Sequence, residues 1–219
     1  MHDRLNFFEP WENLPPNHEN QLTRALLVVL RCCPIAQQAW LSLIDSTLHL
    51  HSLPTPDFGT QRSTILRTEN QPITHEPIKG ISVLCSGDMG TNPPGVVLQS
   101  DRGQVLDGVV RYGDERVIVL ESKLSGPADD WQAGNINLHG QPVEFRDTIR
   151  KISWHDVLAT FTDIADEKRA LIAGAERIVL TDFLDFVDRN FAYLGPCCAS
   201  SRGRCNGSRR GSGQSAMRS

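Results

Sequence analysis

Residues 104–124 constrain this chain more than any other stretch. Val105-Leu106-Asp107-Gly108-Val109-Val110 and Val117-Ile118-Val119-Leu120 flank the cluster Tyr112-Gly113-Asp114-Glu115. A Gly/Asp cluster between two β-branched runs predicts a hairpin. The runs are almost continuously apolar rather than alternating, so both strands are buried on both faces. Side chains alternate along a strand. Val117, Val119, Glu121 and Lys123 therefore share one face, and Ile118, Leu120 and Ser122 share the other. Folding back at the turn brings Asp107 close to Glu121.

Two carboxylates in such strands are costly. Desolvation disfavours the ionised form of each, and the two repel. A divalent cation removes the conflict, because carboxylate, carbonyl and water oxygens suit Mg²⁺ and Mn²⁺. Lys123, one pleat beyond Glu121, can then reach a water or a phosphate oxygen. A Lewis acid, a positioned water and a cation for developing charge are what metal-assisted phosphodiester hydrolysis needs.

Residues 17–33 predict a helix. Pro15-Pro16 precede it, Asn17 can cap it and Pro34 ends it. Leu22, Leu26, Val29, Leu30 and Cys33 recur at helical spacing, which gives one core-facing stripe. Glu19 lies on that stripe at its N-terminal end, where a carboxylate also favours the helix dipole. His18 beside it reads as a solvated residue of the cap.

Asp107, the Glu121-Ser122-Lys123 triplet and the helix bearing Glu19 together resemble the PD-(D/E)XK nuclease superfamily, the restriction-endonuclease-like fold. The proline that precedes the aspartate in that family is absent, since Leu106 stands there. The resemblance covers roughly residues 17–124. It implies an α/β fold, with a mixed central sheet flanked by helices in the order helix-strand-strand-strand-helix-strand and additional C-terminal helices. It also implies a metal-dependent DNA endonuclease, with Asp107, Glu121 and Glu19 as metal ligands and Lys123 positioning the attacking water. The cofactor would be Mg²⁺, with Mn²⁺ as a substitute, and the products a 5′-phosphate and a 3′-hydroxyl. Restriction or phage defence is the implied setting. DNA is then the expected partner, with room for a homodimer or for other defence-system subunits.

The rest of the chain fits one domain over residues 17–194, after an N-terminal segment 1–16. A second helix is expected over 35–48, with Ile35, Ala39, Trp40, Leu43 and Ile44 inward; His49 and His51 follow in a solvated turn. Strands are expected over 64–68, 79–86 and 96–98, a short helix with Trp131 and Gln132 over 127–138, and a strand over 143–152. Ser153 caps a further helix whose inner face is Trp154, Val157, Leu158, Phe161 and Ile164. A helical continuation is expected over 165–173, and a last helix, 175–191, carries Phe183, Phe186, Val187 and Phe191.

Hydrophobic content of 39% and charged content of 22% suit a soluble domain, and there is no long apolar run for a membrane span. The start lacks a basic segment followed by an apolar core, which points to the cytoplasm. Six cysteines, two adjacent pairs and two singles, make neither a zinc pattern nor a disulfide framework. Segment 195–219, rich in Ser, Gly and Arg, reads as a disordered basic tail. Its change of composition suggests a shortened or frameshifted form of a longer protein, or else a basic arm for phosphate. Without residues 196–219 the chain carries 17 basic and 26 acidic side chains, a balance of −9. That balance is unusual for a nucleic-acid binder and favours the alternative of a catalytically inactive binding or assembly module on the same fold.

Overall fold

The computed structural model describes residues 8, 18–62, 76–87, 106–124, 143–145, 149–167 and 172–194. The elements in chain order are α1 (Glu19–Cys32), α2 (Pro34–Ile44), a 3₁₀ turn (Leu50–Ser52), β1 (Pro56–Arg62), β2 (Ile78–Ser86), β3 (Leu106–Tyr112), β4 (Arg116–Lys123), β5 (Val143–Phe145), β6 (Arg150–Ser153), α3 (Trp154–Glu167) and α4 (Gly174–Asn190).

The six strands form one mixed sheet, in the order β1-β3-β4-β2, with both β5 and β6 along the far edge of β2. β1 and β3 are antiparallel, as are β3 and β4. β4, β5 and β6 all run parallel to β2. The chain is thus an α/β protein with a mixed sheet flanked by helices, as expected.

The hairpin forms where the sequence puts it. Tyr112 pairs with Arg116, which leaves a loop of Gly113-Asp114-Glu115. Gly113 has φ +54°, a left-handed conformation that glycine adopts at little steric cost. Arg111 braces the loop, since its Nε donates to the Gly113 carbonyl at 2.7 Å and its guanidinium pairs with Asp114.

The alternation along β4 divides two clusters. Ile118 and Leu120 join a large core that also holds Ile81, Val83, Cys85, Val110 and the inner faces of the helices. Val117 and Val119 lie on the opposite face with Ile78, Leu84, Val109 and Ile149, and Val143 and Phe145 pack against them. α1 comes closest to the sheet at Gly108, where a Cβ would stand 3.1 Å from Thr23 Cγ2 and 3.2 Å from Leu27 Cδ1. On the same side, Gln37 of α2 donates to the Tyr112 hydroxyl at 2.9 Å.

The helix faces follow the periodicity with one rotation. Leu22, Leu26, Val29, Leu30 and Cys33 are all buried, as are the inward residues expected of α3 and α4. An edge-to-face ring pair, Phe161 on Phe183, ties those two helices together, and Phe186 on Phe191 packs the C-terminal end of α4. On α2, however, the inner face is Ala36, Gln37, Trp40, Leu41 and Ile44. Ile35, Ala39 and Leu43 are half-buried and line an open groove with Thr160 of α3. α2 is also shorter than expected and ends at Ile44.

The strands differ from expectation in two places. The Pro-rich stretch after residue 51 yields β1, where no strand was expected. Pro at its first position costs no ladder bond, and pairing with β3 overrides weak local propensity. The single strand expected over 143–152 is two short ones, both recruited by β2. β2, which lies where a strand was expected over 79–86, pairs with the side of β4 away from β3. The strand 96–98, the helix 127–138 with Trp131 and Gln132, the Asn17 cap, the strand at 64–68 and the tail 195–219 lie outside the described residues. No single helix among those described is long and apolar enough to cross a membrane.

Candidate functional site

The register of the hairpin builds the site. Gly108 faces Leu120, so one further step sets Asp107 across from Glu121. Directly opposed side chains on antiparallel strands lie about 5 Å apart at Cβ. Asp107 is anchored, because its Oδ2 accepts from the Ser122 backbone N–H at 2.9 Å. Lys123 Nζ lies 3.4 Å from Glu121 Oε1, with side chains 36% and 16% exposed respectively. The lysine thus faces solvent while the carboxylate is largely withdrawn from it.

The charges of the pair compete. Burial is the main influence on Glu121, and the Asp107 carboxylate adds to it, so its pKa rises from 4.5 to about 7 despite Lys123. Burial also raises Asp107; the Ser122 N–H opposes this most, and Lys123 and His18 oppose it less. Glu19 pushes both carboxylates further up. The expected four residues, Asp107, Glu121, Lys123 and Glu19, are therefore one electrostatic cluster, with His18 at its edge.

Glu19 arrives from α1, whose first residue it is. The cap is His18, half-buried, whose Nδ1 accepts from the Asn20 N–H at 3.2 Å. That bond fixes the start of the helix and hence the place of Glu19. Thr23 adds a hydroxyl bond to the Glu19 carbonyl at 3.2 Å.

Trp154, which sequence reasoning assigned only to packing, supports the Glu121-Ser122-Lys123 segment. Trp154 Nε1 donates to Ser122 Oγ at 3.2 Å, and both side chains are fully buried. The first residue of α3 thereby holds the segment from behind, while the Ser122 N–H holds Asp107 in front. A lone serine on the apolar face of a buried strand was the available signal, since a buried hydroxyl calls for a partner. Ser153 caps α3 as expected, accepting from the Asp156 N–H at 2.9 Å.

The residues suit a hard divalent cation. Both carboxylates are half-buried and raised by burial, and Asp107 adds to the rise of Glu121, so the pair favours added positive charge. Mg²⁺ is commonly held by one or two carboxylates, with water and substrate phosphate completing its shell. Among the described residues no three His, Cys, Asp or Glu side chains converge on a metal-sized point. The pair Asp107 and Glu121 is thus the fitting donor set, with Glu19 contributing charge from farther out. His49 and His51 stack on each other, exposed, at a ring separation of 5.5 Å.

Comparison with known protein families, curated proteins and solved structures finds no match.

Proposed function

We propose that this protein is a metal-dependent phosphodiesterase that cuts DNA internally. The observation that carries the reading is the opposed pair Asp107 and Glu121, withdrawn from solvent and charge-frustrated, with the Lys123 ammonium beside it. A purely structural ion pair would need one acid for one base. Here Asp107 is left over, and Glu19 adds a third negative charge.

Bound Mg²⁺, or Mn²⁺ in its place, would supply a Lewis acid for the phosphoryl oxygen and the attacking water. Asp107 and Glu121 would hold it through their carboxylate oxygens. The Ser122 N–H holds the Asp107 carboxylate in place. Lys123 Nζ donates to the water or to the phosphate oxygen that gains charge in the transition state. Glu19 would assist by accepting a hydrogen from the attacking water. Attack on phosphorus with departure of the 3′ oxygen leaves a 5′-phosphate and a 3′-hydroxyl. Restriction or phage defence is the setting that the resemblance to PD-(D/E)XK nucleases suggests.

The test is incubation of the full chain with supercoiled plasmid, single-stranded DNA and RNA, in Mg²⁺, Mn²⁺ or EDTA, beside Asp107→Ala and Lys123→Ala. Metal-dependent cleavage of DNA that both variants lose supports the reading. An absence of cleavage, with no heat of Mg²⁺ binding, refutes it. The acidic balance of −9 outside the Arg-rich end favours the second reading, a catalytically inactive binding module. That reading expects DNA or protein binding indifferent to EDTA and to Lys123→Ala.

A further inference from the structure

Tyr193 is the most exposed large hydrophobic side chain among the described residues, at 66%. Its exposure is built in. The chain after α4 makes a turn in which the Leu194 N–H donates to the Phe191 carbonyl at 2.8 Å. Phe191 and Leu194 are both buried and pin the turn at its two ends. Tyr193, between them, is held outward on a fixed support.

That support stands at the rim of the carboxylate cluster. Leu194 Cδ2 lies 3.0 Å from where a Cβ on Gly87 would stand, and a Leu124 carbonyl oxygen lies 2.7 Å from the same point. The Gly87 N–H donates to the Lys123 carbonyl at 2.8 Å. The turn therefore packs on the end of β4 that bears Lys123. Partial burial, and after it the charge of Glu19, raise the pKa of the Tyr193 hydroxyl.

An exposed aromatic ring beside a phosphate-handling site offers a face to a nucleobase, and stacking requires a base out of its duplex. The charge balance points the same way. Duplex affinity comes mainly from neutralised phosphates, and the body of this chain carries −9. Stacking supplies affinity that does not depend on net charge. Resting on the nuclease reading, we infer that Tyr193 stacks on an unpaired base next to the scissile phosphate, and that the substrate is DNA with unpaired bases rather than intact duplex.

The experiment uses the full chain in EDTA, where hydrolysis is stopped, with fluorescein-labelled oligo-dT and a blunt duplex of equal length as probes for anisotropy. Tyr193→Ala should weaken oligo-dT binding by about tenfold, in the range for one stacked base. Tyr193→Phe, which keeps the ring, should stay within about twofold. Binding to the duplex should be weaker from the outset and unmoved by either variant. In Mg²⁺, Tyr193→Ala should raise KM on single-stranded DNA with kcat unchanged. Tyr193→Ala binding oligo-dT as wild type does, equal losses for Ala and Phe, or a preference for duplex would each overturn the inference. Cleavage of DNA by a wild type whose binding ignores Tyr193 sinks the stacking alone. Ring-dependent binding without any cleavage sinks the hydrolysis alone.

Discussion

Glu121→Gln in the metal-free protein tests the electrostatic account most directly. Burial and Asp107 lift the Glu121 carboxyl from 4.5 to about 7. The folded state therefore keeps this proton to higher pH than the unfolded chain does. Below about pH 4.5 both states are protonated and the site costs nothing. As pH rises from there through about 7, the unfolded chain releases the proton first and stability falls, the reverse of the usual carboxylate. At about 1.4 kcal/mol per pKa unit, full ionisation costs about 3 kcal/mol. Solvent screening of this partly exposed group returns part of that, which leaves about 2 kcal/mol. Glutamine keeps the volume and removes the charge. In EDTA the variant should match wild type at about pH 3.5 and exceed it by about 2 kcal/mol at about pH 8.5. For a chain of this size that is roughly 4–8 °C in Tm. Urea and thermal unfolding followed by circular dichroism at both pH values measure it. A variant difference independent of pH, or a wild type that gains on the variant as pH rises, would refute the reasoning.

Three further outcomes follow from the same geometry. Mg²⁺ at about a hundred times its Kd should stabilise wild type by about 2.7 kcal/mol and leave Asp107→Asn unmoved; calorimetry in two buffers at neutral pH should show proton release, because Glu121 is partly protonated there. Trp154→Phe removes the donor to Ser122 Oγ inside the core and should cost about 1–2 kcal/mol in urea unfolding; an unchanged midpoint would mean that this bond does not hold the segment. Gly80→Ala would set a Cβ 2.6 Å from Phe145 Cδ1 and 2.8 Å from Val143 Cγ1. It should cost about 1–3 kcal/mol and speed amide exchange in β5 while sparing β3 and β4.

Much of the site was legible because it is local. Asp107, the Gly113 turn and Glu121-Ser122-Lys123 lie within one hairpin, where alternation and turn chemistry dictate which side chains meet. The apolar periodicities of α1, α3 and α4 likewise announced their buried faces. The rotation of α2 was not legible, since an almost wholly apolar helix has no single stripe and its neighbours choose which side to bury. Nor was β1, whose Pro and Gly argue for a loop until β3 offers an edge to pair with.

By itself the sequence determined the hairpin, the opposition of Asp107 to Glu121 and the helical stripe behind them, because each depends on spacing within one element or two adjoining ones. Only the tertiary structure decided the rest. It brought Glu19 into the field of both carboxylates across nearly ninety residues of chain. It set Trp154 behind Ser122 and packed the Tyr193 turn against the end of β4. It also withdrew Glu121 from water enough to carry its pKa to about 7. Burial and long-range charge are sums over every element that surrounds a group, and no single stretch of the chain contains them.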